Sequence, residues 1–253
     1  MPEPLTALLV GFATAQVASF ATTIYLHRTL AHRALRLAPG VTFAFRVVVW
    51  ITTGIKPREW AAVHRRHHAS TDTPDDPHSP AQLGWVRVQL TNAALYRRAA
   101  RDGVTVPRYA RDLPADRWDH ALFDRSWLGL GIGLVGLIAL LGPLWGLIAA
   151  AWHLVAYLAL NGAINAVTHT FGARPFDNSA TNLQWLALLT GGEGLHNNHH
   201  AAPTTAHLAF HRGEVDPAWP VIRVLRRFGW ATVRHPRVPA PVLEREREPE
   251  PVG

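Results

Sequence analysis

The longest uncharged stretch of the chain covers residues 127–167 and contains no Asp, Glu, Lys or Arg. The apolar core of a bilayer is ~30 Å thick and takes about twenty helical residues to cross, so this stretch can cross it twice. Gly142 and Pro143 interrupt the stretch, which predicts a turn between antiparallel spans at about 127–144 and 146–167. We therefore expect an integral membrane protein.

The N-terminal part of the chain holds two more apolar segments. Residues 5–26 carry no charge and are long enough to span a bilayer. They lack the basic start and the small-residue cleavage pattern of a removable signal peptide. Residues 41–55 are shorter and contain Arg46, which costs roughly 2.5–3.5 kcal/mol at the centre of a span. We predict that this segment lies in the interface or dips in and returns, because a full crossing would separate the histidine-rich segments.

The distribution of arginines predicts how these segments are oriented relative to the membrane. The net charge of +7 comes almost wholly from arginine, since Lys56 is the only lysine. Arginines cluster after the first span and between the spans, at Arg28, Arg33, Arg36 and seven positions within residues 97–125. Basic loops stay in the cytoplasm, so the histidine-rich segments are expected there and the N-terminus outside. Residues 1–235 are taken as one domain, and residues 236–253, rich in Pro and Glu, are predicted to be disordered.

Histidine is the residue whose placement says most about function. The chain has 15 histidines, and eight of them form the clusters His27-Arg-Thr-Leu-Ala-His32, His64-Arg-Arg-His67-His68 and His196-Asn-Asn-His199-His200. The last two share the spacing H-x-x-H-H, which puts three imidazoles on one helix face, where they can converge on the same point. His27 and His32 lie about 140° apart around an α-helix, so they need a frayed helix end or two different metals.

One H-x-x-H-H cluster alone is as typical of a surface or nucleic-acid-binding patch as of a metal site. Two copies and a flanking pair on one predicted membrane face favour a metal site. The chain has no Cys, and a set of nitrogen ligands favours iron, zinc or copper over magnesium or calcium. Asn165 and His169, spaced i,i+4 at the end of the last span, are either a polar helix cap or a further ligand pair.

Five motifs occur in an order that resembles the acyl-CoA desaturase family, and in particular its bacterial delta-9 type members. They are H-R-x-x-x-H from His27, H-R-x-H-H from His64, D-x-x-x-D-P-H from Asp72, N-x-x-x-H-x-x-G from Asn165 and G-E-G-x-H-N-x-H-H from Gly192. The resemblance implies an all-α membrane protein with a cytosolic helical cap that holds two irons. It also implies ten residues at the metal centre, with the last acting through water: His27, His32, His64, His67, His68, His169, His196, His199, His200 and Asn165.

The resemblance also implies an activity. It is the O2-dependent desaturation of a long-chain fatty acyl group at the delta-9 position, with the acyl group carried by CoA, a carrier protein or a lipid. Two electrons must come from outside. No haem or flavin motif is found, so a separate donor such as a ferredoxin or a cytochrome b5-like protein is expected. The implied location is the bacterial cytoplasmic membrane, with the active site on its cytoplasmic face and no nucleic-acid partner.

Three carboxylates lie within or beside the histidine clusters. Metal-bound imidazoles usually donate their second N–H to a carboxylate or carbonyl. Asp72, Asp76 and Glu193 are therefore predicted to hold the ligands in place, and Asn197 is predicted to belong to the same network. The alternative for the two aspartates is that they cap turns at the neighbouring prolines.

No substrate-binding residue is assigned. Possible tunnel walls are Trp50, Trp60, Trp152 and Trp185, and possible head-group ligands are Arg58 and Arg174. The remaining histidines are taken as structural or exposed: His78, His120, His153, His207, His211 and His235. Two alternatives stay open, namely a related di-iron lipid hydroxylase and a metal-binding or metal-transporting membrane protein. Family members commonly have four spans, whereas this chain is predicted to have three.

Overall fold

The computed structural model of the chain describes residues 3–235, which are mostly helical with very little sheet, and this confirms the all-α prediction. The α-helices are α1 (Glu3–Ala21), α2 (Pro39–Thr53), α3 (Pro57–Ala69), α4 (Pro80–Leu83), α5 (Trp85–Ala100), α6 (Thr105–Tyr109), α7 (Ser126–Leu141), α8 (Pro143–Ala166), α9 (Gln184–Leu189), α10 (His196–Ala201) and α11 (Ala218–Arg227). Two π-helical segments, Thr22–Ala31 and Asp119–Phe123, and the antiparallel strands β1 (Leu35–Leu37) and β2 (Ala231–Val233) complete the fold. The predicted disordered tail, residues 236–253, lies outside the described residues.

Two helical stretches are long and apolar enough to cross a membrane, Glu3–Ala31 and α8. They pack closely, because a β-carbon at Gly11 would lie 2.5 Å from the carbonyl oxygen of Ala149. Further along both helices, the hydroxyl groups of Thr22 and Tyr157 are 2.8 Å apart. The two contacts come in the same order along the two helical stretches. The stretches therefore run parallel, and their C-terminal ends lie on the same side of the molecule.

Helix α7 is shorter, with 16 residues and a length of about 24 Å. It joins α8 at Gly142, where φ is 81°, and Pro143 occupies the first turn of α8. The two helices run antiparallel in close contact, since a β-carbon at Gly146 would lie 2.5 Å from the Cα atom of Ile138.

Helix α2 packs against the N-terminal half of α7 and reaches α8 at its C-terminal end. There the carbonyl oxygen of Thr52 lies 2.7 Å from Nε2 of His153. Arg46, in the middle of α2, pairs with Asp116 and Asp119 at 2.6 Å each, and its guanidinium lies 4.3 Å from the ring centre of Phe123. These ion pairs neutralise the only charged residue of α2, whose side chain is 11% exposed.

A fully buried ion pair fixes residues 191–216, the segment around α10, to the end of the first helical stretch. This segment is called the cap below. Arg28 donates to both carboxylate oxygens of Asp216 at 3.0 and 3.1 Å, and both side chains are at most 1% exposed. Arg28 also donates to the carbonyl oxygen of Gly191. A bidentate arginine–carboxylate pair has a strict geometry. It therefore holds the loops that flank α10 against the π-helical segment that carries the first histidine cluster.

We predict that Gly133→Ala destabilises the protein, because a β-carbon there would lie 2.2 Å from the carbonyl oxygen of Ile51 in α2. Overpacking of this kind costs about 1–3 kcal/mol. The measurement is the thermal unfolding midpoint of the detergent-solubilised protein. Gly131→Ala is the matched control, since its β-carbon would meet nothing within 4 Å. Equal midpoints for both variants would contradict the close α2–α7 contact.

Candidate metal centre

A π-helix brings the first two histidines together. Residues 22–31 form a π-helical segment, and the N–H of His32 donates to the carbonyl oxygen of His27 at 3.1 Å, five residues earlier. Side chains five residues apart therefore lie one above the other, unlike in an α-helix. The five-residue spacing predicted either a frayed helix end or two separate metals for this pair. The structure provides a third solution, in which both rings join one group.

The first histidine group draws one ring nitrogen from each of five residues, and these nitrogens lie within 4.8 Å of one another: His27, His32, His64, His68 and His199. The Nε2 atoms of His32 and His64 are 2.8 Å apart. Nε2 of His199 lies 3.0 Å from Nε2 of His27 and 3.0 Å from Nε2 of His68. The rings thus point their Nε2 atoms at a common centre, to which the π-helical segment, α3 and α10 all contribute.

The second histidine group draws one ring nitrogen from each of four residues, and these nitrogens also lie within 4.8 Å of one another: His67, His169, His196 and His200. Each H-x-x-H-H cluster is thus divided between the groups. The spacing allowed all three imidazoles of a cluster to converge on one point, but in the structure each cluster contributes to both groups. Adjacent residues on an α-helix point about 100° apart, so the middle histidine of a cluster faces a different centre from its i,i+4 companions.

The two groups share a border. The rings of His68 and His200, one from each group, stack with their centres 4.3 Å apart, and the rings of His68 and His67 are 5.5 Å apart. The arrangement can therefore hold two metal ions as neighbours.

Three carboxylates orient the rings from behind. Asp76 lies 2.9 Å from Nδ1 of His67, and Asp72 lies 2.9 Å from Nδ1 of His169. A carboxylate can only accept, so each Nδ1 carries the proton and each Nε2 keeps its lone pair. Nε2 of His67 and Nε2 of His169 are buried and have no hydrogen-bond partner among the described residues. Each of these two Nε2 atoms has a free lone pair, so both can act as ligands of a metal ion.

The third carboxylate, Glu193, lies 2.8 Å from Nδ1 of His27 in the first group. Thr23 donates to Glu193 and Arg28 donates to Thr23, which ties this carboxylate to the buried ion pair of the cap. Asn197 has a different position. Its side chain bonds the backbone of Phe176 and Ala180, so it shapes the loop beside α10 rather than a histidine ring.

The electrostatics suit cation binding. Burial, together with neighbouring imidazoles, lowers the pKa of six cluster histidines well below the usual value: His32, His64, His68, His196, His199 and His200. Burial raises the pKa of Asp72 and of Asp76, but hydrogen bonds with His169 and His67 outweigh it and lower both. The site therefore presents neutral nitrogens inside a ring of ionised carboxylates, as a metal requires.

His78 was predicted to be structural or exposed, and in the structure its ring lies beside the second histidine group. Its ring is buried with its centre 4.8 Å from that of His67, and the two rings form a third possible metal-holding group with Asp76. Burial and the nearby His67 lower the pKa of His78 to about 3. In the sequence, the position of His78 directly after Asp76-Pro77 in the D-P-H motif could have indicated that it lies near the histidine groups.

A cavity of about 1050 Å³ opens beside the first group and extends between α2, α5, α7 and α8. Near the histidines it is lined by Trp60, His64 and Asn165, and further along by Leu134, Leu137 and Leu140. Of the proposed tryptophan walls, Trp60 lies here and stacks on His64, whereas Trp152 and Trp185 are exposed. The cations on this cavity are Lys56, Arg97 and Arg101, rather than Arg58 and Arg174.

The sequence model of the fatty acid desaturase family matches residues 3–230, and the chain belongs to this family. The family resemblance carried by the motifs is thereby confirmed. The chain is 31% identical to the icosanoyl-CoA 5-desaturase of Limnanthes douglasii, over 89% of this chain and 63% of the relative. It is 30% identical to an acyl-CoA C20 Delta5-desaturase of Anemone leveillei, over 84% of this chain and 68% of the relative.

A third relative is the sn-1 stearoyl-lipid 9-desaturase of Synechocystis, which is 29% identical over 83% of this chain and 65% of the relative. The chain thus spans about two thirds of the length of these curated relatives.

We predict that Asp76→Asn weakens metal binding about 10–100-fold, because a neutral amide is a poorer acceptor for the ring N–H of His67. The measurement is the metal content retained in competition with a graded chelator. Asp75→Asn is the control, since this neighbouring aspartate is exposed and touches no histidine ring through its carboxylate in the described part of the chain. Equal retention by the two variants would show that Asp76 does not support the ligand.

Proposed function

We propose that this protein is an O2-dependent fatty acyl desaturase. The observation that carries the proposal is the pair of adjacent, buried histidine groups in a member of the fatty acid desaturase family. The reaction would convert a –CH2–CH2– unit of the acyl chain to –CH=CH–. One O2, two protons and two external electrons enter with it, and two molecules of water leave.

The nine histidines would hold two iron ions, five on one and four on the other. A bound iron pair supplies the oxidising power for breaking an unactivated C–H bond, which no side chain has. Asn165 lies four residues before His169 and lines the cavity, and this position supports the proposal that it would hold a water at the four-histidine site. Asp72, Asp76 and Glu193 would keep the rings in the correct tautomer.

The cavity is the proposed site of the acyl chain. It passes His64 and continues between the apolar faces of α7 and α8, which matches a long hydrocarbon chain. Lys56, Arg97 and Arg101 could receive a phosphate-bearing head group, as in CoA, a carrier protein or a phospholipid. Delta-9 is the proposed position because the motifs resemble those of delta-9 type members. Relatives named as 5-desaturases and 9-desaturases match at similar identity, so product analysis has to decide the position.

We predict that expression of the chain adds a monounsaturated fatty acid to the lipids of a host that supplies electrons, and that His199→Ala abolishes the product. His199 belongs to the first group and is fully buried, so its loss removes one ligand and leaves a gap. The measurement is the fatty-acid profile by gas chromatography and mass spectrometry. His120→Ala is the control, because that side chain is 71% exposed.

Product from His199→Ala would reject the metal assignment. A hydroxylated fatty acid from the unaltered chain would indicate the related hydroxylase instead, with the same centre. If the purified protein, reduced by dithionite, yields neither product from an acyl substrate and O2, a desaturase or hydroxylase function is excluded and metal binding or transport remains.

We further propose that residues 1–235 form one domain in the bacterial cytoplasmic membrane, with the histidine groups on the cytoplasmic side. Helices α1, α7 and α8 would cross the membrane, and α2 would dip in before α3 returns to the histidines. A reporter fused to the N-terminus is predicted to be active only outside the cytoplasm. Cytoplasmic activity of that fusion, with a C-terminal fusion as reference, would contradict the three-crossing topology.

A further inference from the structure

Helix α10 supplies rings to both histidine groups, yet it has only six residues. His196 and His200 belong to the second group and His199 belongs to the first. Leu195, at the N-cap position, provides no side-chain hydrogen bond. A helix shorter than about 12 residues is marginal by itself, so contacts from outside α10 have to hold its three rings in place.

Asn182 caps α10 from a remote position in the chain. Its Oδ1 accepts hydrogen bonds from the backbone N–H of Asn197 at 3.0 Å and of Asn198 at 3.2 Å. The first N–H groups of a helix have no partner within the helix, so Asn182 does the work of an N-cap side chain. Asn182 is itself held in place, because its backbone N–H and carbonyl oxygen both pair with Ala173.

Asn198 lies within α10 and is fully buried. Helix geometry directs its side chain at least about 100° away from those of the three histidines of α10. Its Nδ2 donates to Oε2 of Glu214 at 2.7 Å and to the carbonyl oxygen of Leu208 at 2.9 Å. Its Oδ1 accepts from Nδ2 of Asn182 at 2.7 Å. Asn198 therefore attaches the back of α10 to two other segments of the chain.

Glu214 receives the hydrogen bonds of both asparagines. Its Oε1 accepts from Nδ2 of Asn182 at 3.0 Å, and its Oε2 accepts from Nδ2 of Asn198 at 2.7 Å. Oε2 also accepts from the backbone N–H of Phe210 at 2.8 Å and of His211 at 3.0 Å. All four of these groups donate, so a carboxylate suits the position, whereas an amide has only one acceptor atom.

We propose that Glu214 and Asn182 are positioning residues of the metal centre, which act through Asn198 to fix the orientation of α10. Both Glu214 and Asn182 lie outside the five sequence motifs. The proposal rests on the metal centre of the proposed function and is independent of the reaction catalysed. Helix α10 supplies two of the four rings of the second group and one of the five rings of the first. Loss of the network therefore affects the second group more strongly.

Two single variants and their combination test the bond between the two positioning residues. Glu214→Gln leaves one oxygen for the three donors at Oε2 and turns an NH2 group toward Nδ2 of Asn182. Asn182 cannot turn away, because its Oδ1 caps α10. Asn182→Asp keeps the capping oxygen but places a second carboxylate against Glu214. In the double variant, the bond between positions 182 and 214 forms again with donor and acceptor exchanged.

The measurement is metal retention by the full chain in detergent, loaded anaerobically with Fe2+ and challenged with a graded series of chelator concentrations. Loading with Co2+ provides a second readout, because the absorption of bound Co2+ reports its ligands and geometry. The control is Asp177→Asn, since this aspartate is exposed and its carboxylate forms no hydrogen bond or ion pair in the described part of the chain. The unfolding midpoint of each metal-free variant is measured in parallel.

We expect each single variant to weaken retention of one of the two ions about tenfold and to change the spectrum of bound Co2+, as loss of a ligand-orienting contact does. The double variant should weaken it less than the two single changes together, which is the sign of a direct interaction. Asp177→Asn should behave like the unaltered chain.

Equal retention by Glu214→Gln and Asp177→Asn would overturn the proposal. It would also be overturned by a lower unfolding midpoint with an unchanged Co2+ spectrum, since that result describes a merely structural contact. Additive losses in the double variant would contradict the bond between the two residues. If the unaltered chain retains no metal, the metal centre itself is rejected, and the proposed function and this proposal fall together.

Discussion

The structure depends on packing nine imidazole rings together with three carboxylates. Burial and neighbouring imidazoles lower the pKa of six of these rings well below the usual value. The carboxylates of Asp72, Asp76 and Glu193 lie behind three rings at Nδ1. Each ring directs one nitrogen into its group, and Nε2 of His67 and Nε2 of His169 have no hydrogen-bond partner in the described part of the chain. A buried polar atom without a partner is costly, so a bound metal would compensate this cost and would couple the packing around the histidines to metal binding.

The cap is attached to the membrane helices through the same residues that build this site. Arg28 sits next to His27 and forms a buried pair with Asp216, while Thr23 connects the pair to Glu193. Because these contacts are buried and charged, losing one partner leaves the other uncompensated, at a cost of about 3–5 kcal/mol. The end of the first helical stretch, the loop before α10 and the first histidine group therefore form one unit.

The large cavity reaches the first histidine group past His64, whose ring stacks on Trp60. Further along, the cavity is lined by Leu134, Leu137 and Leu140 of α7. It therefore joins the histidine groups to the helices that are proposed to cross the membrane.

Much of this protein followed from its sequence alone. The uncharged runs and Gly142-Pro143 predicted the helices α1, α7 and α8, and the motif order identified the family and its histidines, because both depend on local composition and spacing. Only the tertiary structure decided how the rings are shared. A one-dimensional spacing cannot reveal a π-helix at His27–His32, the division of each H-x-x-H-H cluster between two centres, or the proximity of His78. It also could not show that Arg28 is a buried anchor rather than a cytoplasmic charge, since its partner Asp216 is remote in the chain and meets it only after folding.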